Sequence, residues 1–253
     1  MDGSTPITGS DQSSVNIRPR LYFGDDDTVQ YLDAVHTRMI QSRAVEHPFL
    51  QWYANNHLTP SQEKILYSEC YYWFRHLPFY ISLMSGVTRD PRILKEITLN
   101  VLDEVGGERT HAEIYLDFLR GIGISKEDVR RYSPSDEALA LNGGMARLYS
   151  RPPVEKALGA LYFDEAMSSI MVSKINDGLK YEGYSQHVRF FWEMHIDVEH
   201  GHSNSVFNAI YPYLRDDISR EIFEDGAQAL EHLVERFWDA VTQRLNLGFL
   251  LPT

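Results

Sequence analysis

From about residue 26 onward, the pattern of hydrophobic and polar positions is typical of α-helices almost everywhere. No stretch of four to eight residues shows strand alternation bounded by hairpin turns. Three helix starts are marked by a capping residue followed by proline, at Thr59-Pro60, Asp90-Pro91 and Ser133-Pro134. The sequence therefore predicts an all-α protein, a single-domain bundle of about seven to eight helices.

Capping residues, prolines and glycines give approximate limits for these helices. The predicted helices cover residues 25–44, 60–85, 91–120, 134–149, 153–180, 184–211 and 216–247, with a short helical turn after Gly123. Residues 1–20 are rich in Ser, Thr, Gly and Asp and lack an apolar core, so we expect a disordered leader there. Residues 21–253 are expected to form the helical domain.

A glutamate and a histidine at helical spacing lie in the predicted helix over residues 91–120. Glu104 and His111 are seven residues apart, and seven residues turn a helix by about 700°, close to two full turns. The two side chains share one face if the helix is continuous. Gly106-Gly107 lies between them and has two interpretations, a local bulge in one helix or the end of that helix before a new one.

A second group of ionisable residues lies in the predicted helix over residues 184–211. His195, Glu199 and His202 are spaced by four and three residues, so they form one column among aromatic neighbours. His200 is five residues from His195 and should point elsewhere. Glu165 adds a carboxylate from the helix between, and burying so many ionisable groups without a metal ion would be costly.

Three imidazoles and three carboxylates together make a mixed nitrogen and oxygen donor set, which suits iron or manganese. Similar sets of glutamates and Glu-x-x-His pairs hold the two metal ions of diiron helical bundles. The predicted metal ligands are Glu104, His111, Glu165, His195, Glu199 and His202.

Charge and cysteine content narrow the expected partners and location. The net charge is −12 without a basic stripe, which argues against nucleic acid and against anionic membranes. Cys70 is the single cysteine, so a disulfide within the chain and a Cys-rich metal site are both excluded. We expect a cytoplasmic protein that binds a small-molecule substrate and, as the commonest assembly, forms a homodimer.

Three stretches of the chain resemble the heme-oxygenase-like diiron oxidases and oxygenases, relatives of the thiaminase-like and pyrroloquinoline-quinone-synthase-like helical proteins. They are His47-Pro48-Phe49-Leu50, then Asn100-Val101-Leu102-Asp103-Glu104-Val105-Gly106 with His111-Ala112-Glu113, and finally His195 to His202. The resemblance covers roughly residues 30 to 245.

The resemblance implies two Fe(II) ions per chain, O2 as co-substrate and the six ligands given above. The middle acid of the last motif is often Asp in this family, whereas this chain has Glu199. The implied reactions are desaturation, oxidative C–C cleavage or N-oxygenation, on an amino acid or alternatively on a fatty acid, in specialised metabolism.

Other hypotheses remain open at this point. Glu69 and Glu108 would give the ligand order of a ferritin-like diiron bundle, such as an N-oxygenase. A metal-free relative would be a cofactorless oxidase, or a thiaminase-type hydrolase with Cys70 as nucleophile. A helical protein that only binds a partner would hold no iron tightly. Four cations that the sequence does not rank are candidates to hold a substrate carboxylate: Arg75, Arg109, Lys174 and Arg189.

Overall fold

The computed structural model describes residues 26–196 and 209–252, and in these ranges it contains helices and no strand. The helices are α1 (Asp26–Ile40), α2 (Pro48–Tyr53), α3 (Pro60–Phe74), α4 (Leu77–Leu83), α5 (Pro91–Val105), α6 (His111–Gly121), α7 (Lys126–Arg131), α8 (Asp136–Ser150), α9 (Val154–Tyr181), α10 (described over 190–196) and α11 (Asp217–Arg244). Short 3-10 turns cover Met84–Gly86, Tyr211–Tyr213 and Gly248–Leu250. The all-α prediction is confirmed, whereas the predicted leader, residues 1–20, lies outside the described ranges.

The predicted helix over residues 60–85 is wrong, because the chain forms two helices there, α3 and α4. Pro78 lies in the first turn of α4 and has no N–H to donate to the carbonyl of Phe74 four residues earlier. The helix therefore ends at Phe74, and the chain changes direction at Arg75 and His76.

The predicted continuous helix over residues 91–120 is also wrong, since α5 ends at Val105 and α6 begins at His111. Gly106 caps the end of α5. Thr110 caps the start of α6 through a reciprocal capping box with Glu113, in which the Glu113 carboxylate accepts from the Thr110 N–H at 2.9 Å. Of the two interpretations of Gly106-Gly107, the helix end is correct, and the seven-residue spacing argument does not apply.

The two longest helices, α9 and α11, approach each other closely at a pair of glycines. A Cβ atom added at Gly159 would lie 1.8 Å from the carbonyl oxygen of Phe223, and one added at Gly226 would lie 1.9 Å from that of Lys156. Glycine at both positions thus allows backbone contact between the helices. Further along, the Trp238 indole N–H donates to Met171 Sδ at 3.3 Å.

A buried aromatic cluster joins α3, α6 and α10. The ring centroids of Tyr115 and Phe191 are 4.7 Å apart, and those of Phe118 and Trp192 are 5.5 Å apart. Tyr67 contacts both Phe118 and Trp192 from α3. Edge-to-face contacts of this kind favour one ring arrangement over others, so they fix where α10 lies against α6.

None of the helices in the described part of the chain is long and apolar enough to cross a membrane.

Candidate metal centre

Three of the six predicted ligands converge where α5, α6 and α10 meet. Glu104 is in the last turn of α5, His111 is the first residue of α6, and His195 is on α10. Each offers a ligand atom within 4.8 Å of the others, and all three residues are buried. They form the group of potential metal ligands found among the described residues.

The contact between Glu104 and His111 has the geometry of two ligands to one ion. His111 Nδ1 lies 3.0 Å from Glu104 Oε1, close enough for the two groups to interact electrostatically, yet this fully buried nitrogen makes no well-aligned hydrogen bond. Buried polar atoms are normally satisfied, so an unsatisfied one requires an explanation. A nitrogen and an oxygen that bind one divalent ion at about 2.1 Å and at right angles lie about 3 Å apart. A metal ion between them would satisfy both atoms.

His195 is held in one orientation by the backbone of its own helix. Its Nδ1–H donates to the carbonyl of Phe191 at 2.7 Å, which leaves Nε2 with a free lone pair. Metal-binding histidines usually make this kind of outer hydrogen bond, because it fixes the ring and its tautomer. Burial lowers the pKa of His195 to about 4, so the imidazole is neutral near pH 7, as a metal ligand must be.

Unlike His195, His111 lies next to carboxylates that favour its protonated form. Burial disfavours its protonated form, but the carboxylates of Glu104 and Asp103 outweigh that effect and raise the pKa of His111. In the metal-free chain, a proton on His111 therefore partly compensates the buried negative charge of Glu104. A metal ion would replace that proton.

Glu165 is buried near the middle of α9 but lies outside the group of three. Its Oε1 accepts a hydrogen bond from Nδ2 of Asn100. Asn100 is one helical turn before Glu104 on α5, so the Glu165 carboxylate lies beside the same helix one turn away. Glu199 and His202, the remaining predicted ligands, lie outside the described residues.

The residues of the ferritin-like alternative have other roles. Glu69 is fully buried, where it pairs with Arg244 and accepts hydrogen bonds from the Tyr132 hydroxyl at 2.7 Å and the Ser135 N–H at 3.0 Å. These partners occupy its carboxylate. Glu108 is exposed in the segment between α5 and α6. The geometry therefore favours Glu104 over this alternative pair.

The metal-free hydrolase would require a reactive cysteine. Cys70 is fully buried, and burial raises the pKa of its thiol well above the ordinary value, so the thiolate is disfavoured. The residue does not line the cavity beside the three ligands. Cys70 is therefore a core residue, which argues against the thiaminase-type hypothesis.

A mostly apolar cavity adjoins Glu104, His111 and His195. Its other lining residues include Trp73, Phe74, Arg75, Leu77, Tyr115, Asp164, Met171, Ile175, Phe191 and Trp238. Asp164 is buried there, and its Oδ2 accepts from the Tyr149 hydroxyl at 3.0 Å. Burial, with the neighbouring carboxylate of Glu165, raises the pKa of Asp164 to about 8. Asp164 is therefore mostly protonated at neutral pH in the metal-free chain.

Two residues at this site, and one helix-start signal near it, are not among the residues predicted from the sequence. Asp164 belongs to no motif, and Asn100 lies in a stretch that carries the resemblance but was given no role, because the roles of both depend on contacts between distant helices. The Thr110-x-x-Glu113 capping box was visible in the sequence and would have indicated that a helix begins at His111.

The chain matches known proteins over most of its length. A sequence model of the family of iron-containing redox enzymes matches residues 66–235. The 4-chloro-allylglycine synthase of Streptantibioticus cattleyicolor is 51% identical over 238 residues, covering 94% of this chain and 93% of that protein. The 4-aminobenzoate synthase of Chlamydia pneumoniae is 21% identical over 217 residues, covering 85% and 95%, respectively.

Solved structures share the fold at low sequence identity. A domain of unknown function with a heme oxygenase-like fold from Shewanella denitrificans has a TM-score of 0.71 at 16% identity, covering 87% of this chain and 93% of that one. A TenA homologue from Pseudomonas syringae has a TM-score of 0.68 at 14% identity, covering 86% and 91%. At these identities the likeness establishes the heme-oxygenase-like fold alone.

Proposed function

Because the chain belongs to the family of iron-containing redox enzymes, and is therefore an oxidoreductase, we propose that it is a non-heme diiron enzyme that uses O2 to oxidise a free amino acid. The observation that carries this proposal is the buried group of Glu104, His111 and His195 with its unsatisfied nitrogen, beside an apolar cavity. Its donor atoms are the nitrogen and oxygen types that suit iron.

We propose that these ligands would be shared between two iron ions. Glu104, His111 and His195 would hold the first, and Glu165 would contribute to a second ion with Glu199 and His202. When bound, the iron supplies the O2 chemistry that an amino-acid side chain alone does not perform.

The residues of this chain provide position, charge and a dry cavity. The Phe191 carbonyl keeps Nε2 of His195 free for a metal ion, and the Glu104 carboxylate supplies negative charge to it. Aromatic and aliphatic side chains, among them Trp73 and Met171, exclude water from the space next to these ligands. In the metal-free chain, Asp164 holds a proton in the same cavity at neutral pH.

The proposed substrate class rests on the relative that is 51% identical. Its name describes the synthesis of an allylglycine, which is an α-amino acid with a carbon–carbon double bond at the end of its side chain. We infer that this chain likewise forms a side-chain double bond, by desaturation or by oxidative C–C cleavage. N-oxygenation and the oxidation of a fatty acid are the competing outcomes.

The test loads the iron-free protein with Fe(II) without air, counts the bound iron and then adds O2 with panels of aliphatic amino acids and fatty acids. We expect about two irons per chain, and faster O2 consumption with at least one amino acid that yields an unsaturated amino-acid product. Iron binding no higher than background, with no O2 consumption, would contradict the proposal. If fatty acids alone accelerate O2 consumption, the substrate would be a fatty acid rather than an amino acid, and the proposed diiron chemistry would stand.

A further inference from the structure

The apolar cavity beside the metal ligands has one strongly basic side chain in its described wall, that of Arg75. Arg75 is the first residue after α3, at the break that Pro78 imposes. Its guanidinium group lies in the wall of the same cavity that Glu104, His111 and His195 line.

The Arg75 guanidinium has no anionic partner among the described residues. Within residues 26–196 and 209–252, Arg75 forms no ion pair, and its Nε makes no hydrogen bond. Its Nε is fully buried and unsatisfied. Arg75 as a residue is only partly buried, but a buried N–H without an acceptor is costly and requires an explanation, and a ligand that supplies the acceptor would provide one.

Two aromatic rings support Arg75 without using its hydrogen-bond donors. The guanidinium carbon lies 5.4 Å from the ring centroid of Tyr71 and 5.1 Å from that of Tyr72. Cation–π contacts orient the planar group and leave its N–H donors, which lie in the plane, for a carboxylate. The arrangement is that of a preformed site for a planar anion.

The other three cations that the sequence offered are already paired. Arg109 pairs with Asp117, and Lys174 lies 2.6 Å from Glu46. Arg189 donates to Asn176 at 2.7 Å and pairs with Glu193 at 2.5 Å. Arg75 is therefore the cation available to a ligand in this cavity.

We propose that Arg75 binds the α-carboxylate of the amino-acid substrate and so directs its side chain along the apolar wall toward the metal ligands. The inference rests on the proposed function for the identity of the substrate, but its test does not depend on turnover. It predicts that the enzyme recognises the carboxylate at the part of the cavity wall formed by Arg75, with the oxidised carbon further along the substrate side chain.

The test measures binding to the Fe(II)-loaded protein without air, by calorimetry, with three small probes. L-Allylglycine carries both the carboxylate and the amino group, pent-4-enoate carries the carboxylate alone, and but-3-en-1-amine carries the amino group alone. We expect Arg75→Gln to weaken the two carboxylate probes by about 10- to 100-fold and to leave the amine unchanged. Arg75→Lys, which keeps the charge without the planar fork, should give an intermediate loss.

Arg120→Gln is the matched control, since it removes one arginine charge from a side chain that is 77% exposed and paired with Asp117. It should bind all three probes as the wild type does. Equal weakening of the amine and the carboxylates by Arg75→Gln, unchanged affinity in that variant, or no binding of either carboxylate by the wild type would each overturn the inference. If Arg75→Gln does not fold, the same comparison is made with Arg75→Lys.

The two proposals fail separately. If L-allylglycine binds in a manner that depends on Arg75, but no amino acid causes O2 consumption, the proposed function would be contradicted and the binding site would stand. If the enzyme oxidises an amino acid, and Arg75→Gln changes neither its KM nor the affinity for the carboxylate probes, the proposed function would stand and the Arg75 binding site would be wrong.

Discussion

Glu104 lies in the last turn of one helix and His111 begins the next, and their facing oxygen and nitrogen are 3.0 Å apart. The pair therefore depends on how two helix ends meet. The end of α5 and the capped start of α6 must both be in place before the two atoms can share a metal ion.

The Thr110 cap should consequently affect iron binding as well as stability. Thr110→Ala removes the side chain that accepts from the Glu113 N–H, a loss of about 1 kcal/mol in helix stability. Because His111 is the first residue of that helix, we expect iron affinity to fall by up to about fivefold, which corresponds to the same free energy. Iron titration and thermal unfolding measure the two effects.

Ser125→Ala is the matched control for this variant. Ser125 forms the same capping box with Asp128 at the start of α7, and no proposed ligand lies on that helix. It should lower the melting temperature by a similar amount and leave iron affinity unchanged. Loss of iron affinity in both variants would mean that general stability, rather than the position of His111, controls binding.

His195→Ala and Glu69→Ala should have opposite effects. Removing the His195 ligand is expected to weaken iron binding by at least about 100-fold, with little change in the fold of the iron-free protein.

Removing Glu69 leaves the Tyr132 hydroxyl and the Ser135 N–H without their acceptor, which costs about 2–3 kcal/mol of stability. Glu69→Ala should bind the same number of irons per chain as the wild type. A lower number would support the ferritin-like ligand set instead. Metal analysis and denaturant unfolding of both proteins decide the matter.

Two glycine substitutions should separate backbone contact from helix propensity. Gly159→Ala would place a Cβ 1.8 Å from the Phe223 carbonyl oxygen, so α9 and α11 would have to move apart, at a cost of about 2 kcal/mol or more. Gly143→Ala on α8 meets no atom closer than 3.5 Å and should stabilise the protein by about 0.5–1 kcal/mol. Urea unfolding measures both, and a neutral result for Gly159→Ala would contradict the close approach.

His47 should make stability fall in mild acid. It caps α2 by accepting from the Phe49 N–H at Nδ1 and donates from Nε2 to Asp239 at 3.0 Å. Burial lowers the pKa of His47 and the Arg43 charge adds to this, while Asp239 and Glu235 oppose them without reversing the shift. The unfolded chain therefore binds the proton first, and stability is lost as pH falls below about 6.5, through the lower pKa of the folded state.

His47→Asn keeps a capping oxygen but removes this proton. Between pH 7 and pH 5, the iron-free variant should lose less stability than the wild type, by up to about 1.4 kcal/mol per pH unit. Unfolding in urea at several pH values provides the comparison. Parallel stability curves for the two proteins would show that His47 is not the group that titrates.

The sequence predicted the fold class because local signals dominate it: Thr59 and Asp90 both cap helices at the predicted starts. It grouped Glu104 with His111 for the wrong reason, since the two meet across a break and not along one helix face. It offered Arg75 among four equal cations, although the i,i+4 pair of Arg189 with Glu193 was visible in the sequence, whereas the partner of Lys174, Glu46, is brought near only by the tertiary fold.

The interrupted helix between Glu104 and His111 also changes how the site tolerates variation in chain length. In a continuous helix, one inserted residue would rotate His111 by about 100° away from Glu104. Here the direction of His111 is set by the Thr110 cap, and residues 106–109 only have to span the gap. An insertion or deletion in this short connection can therefore change its length without changing the angular phase of the second ligand.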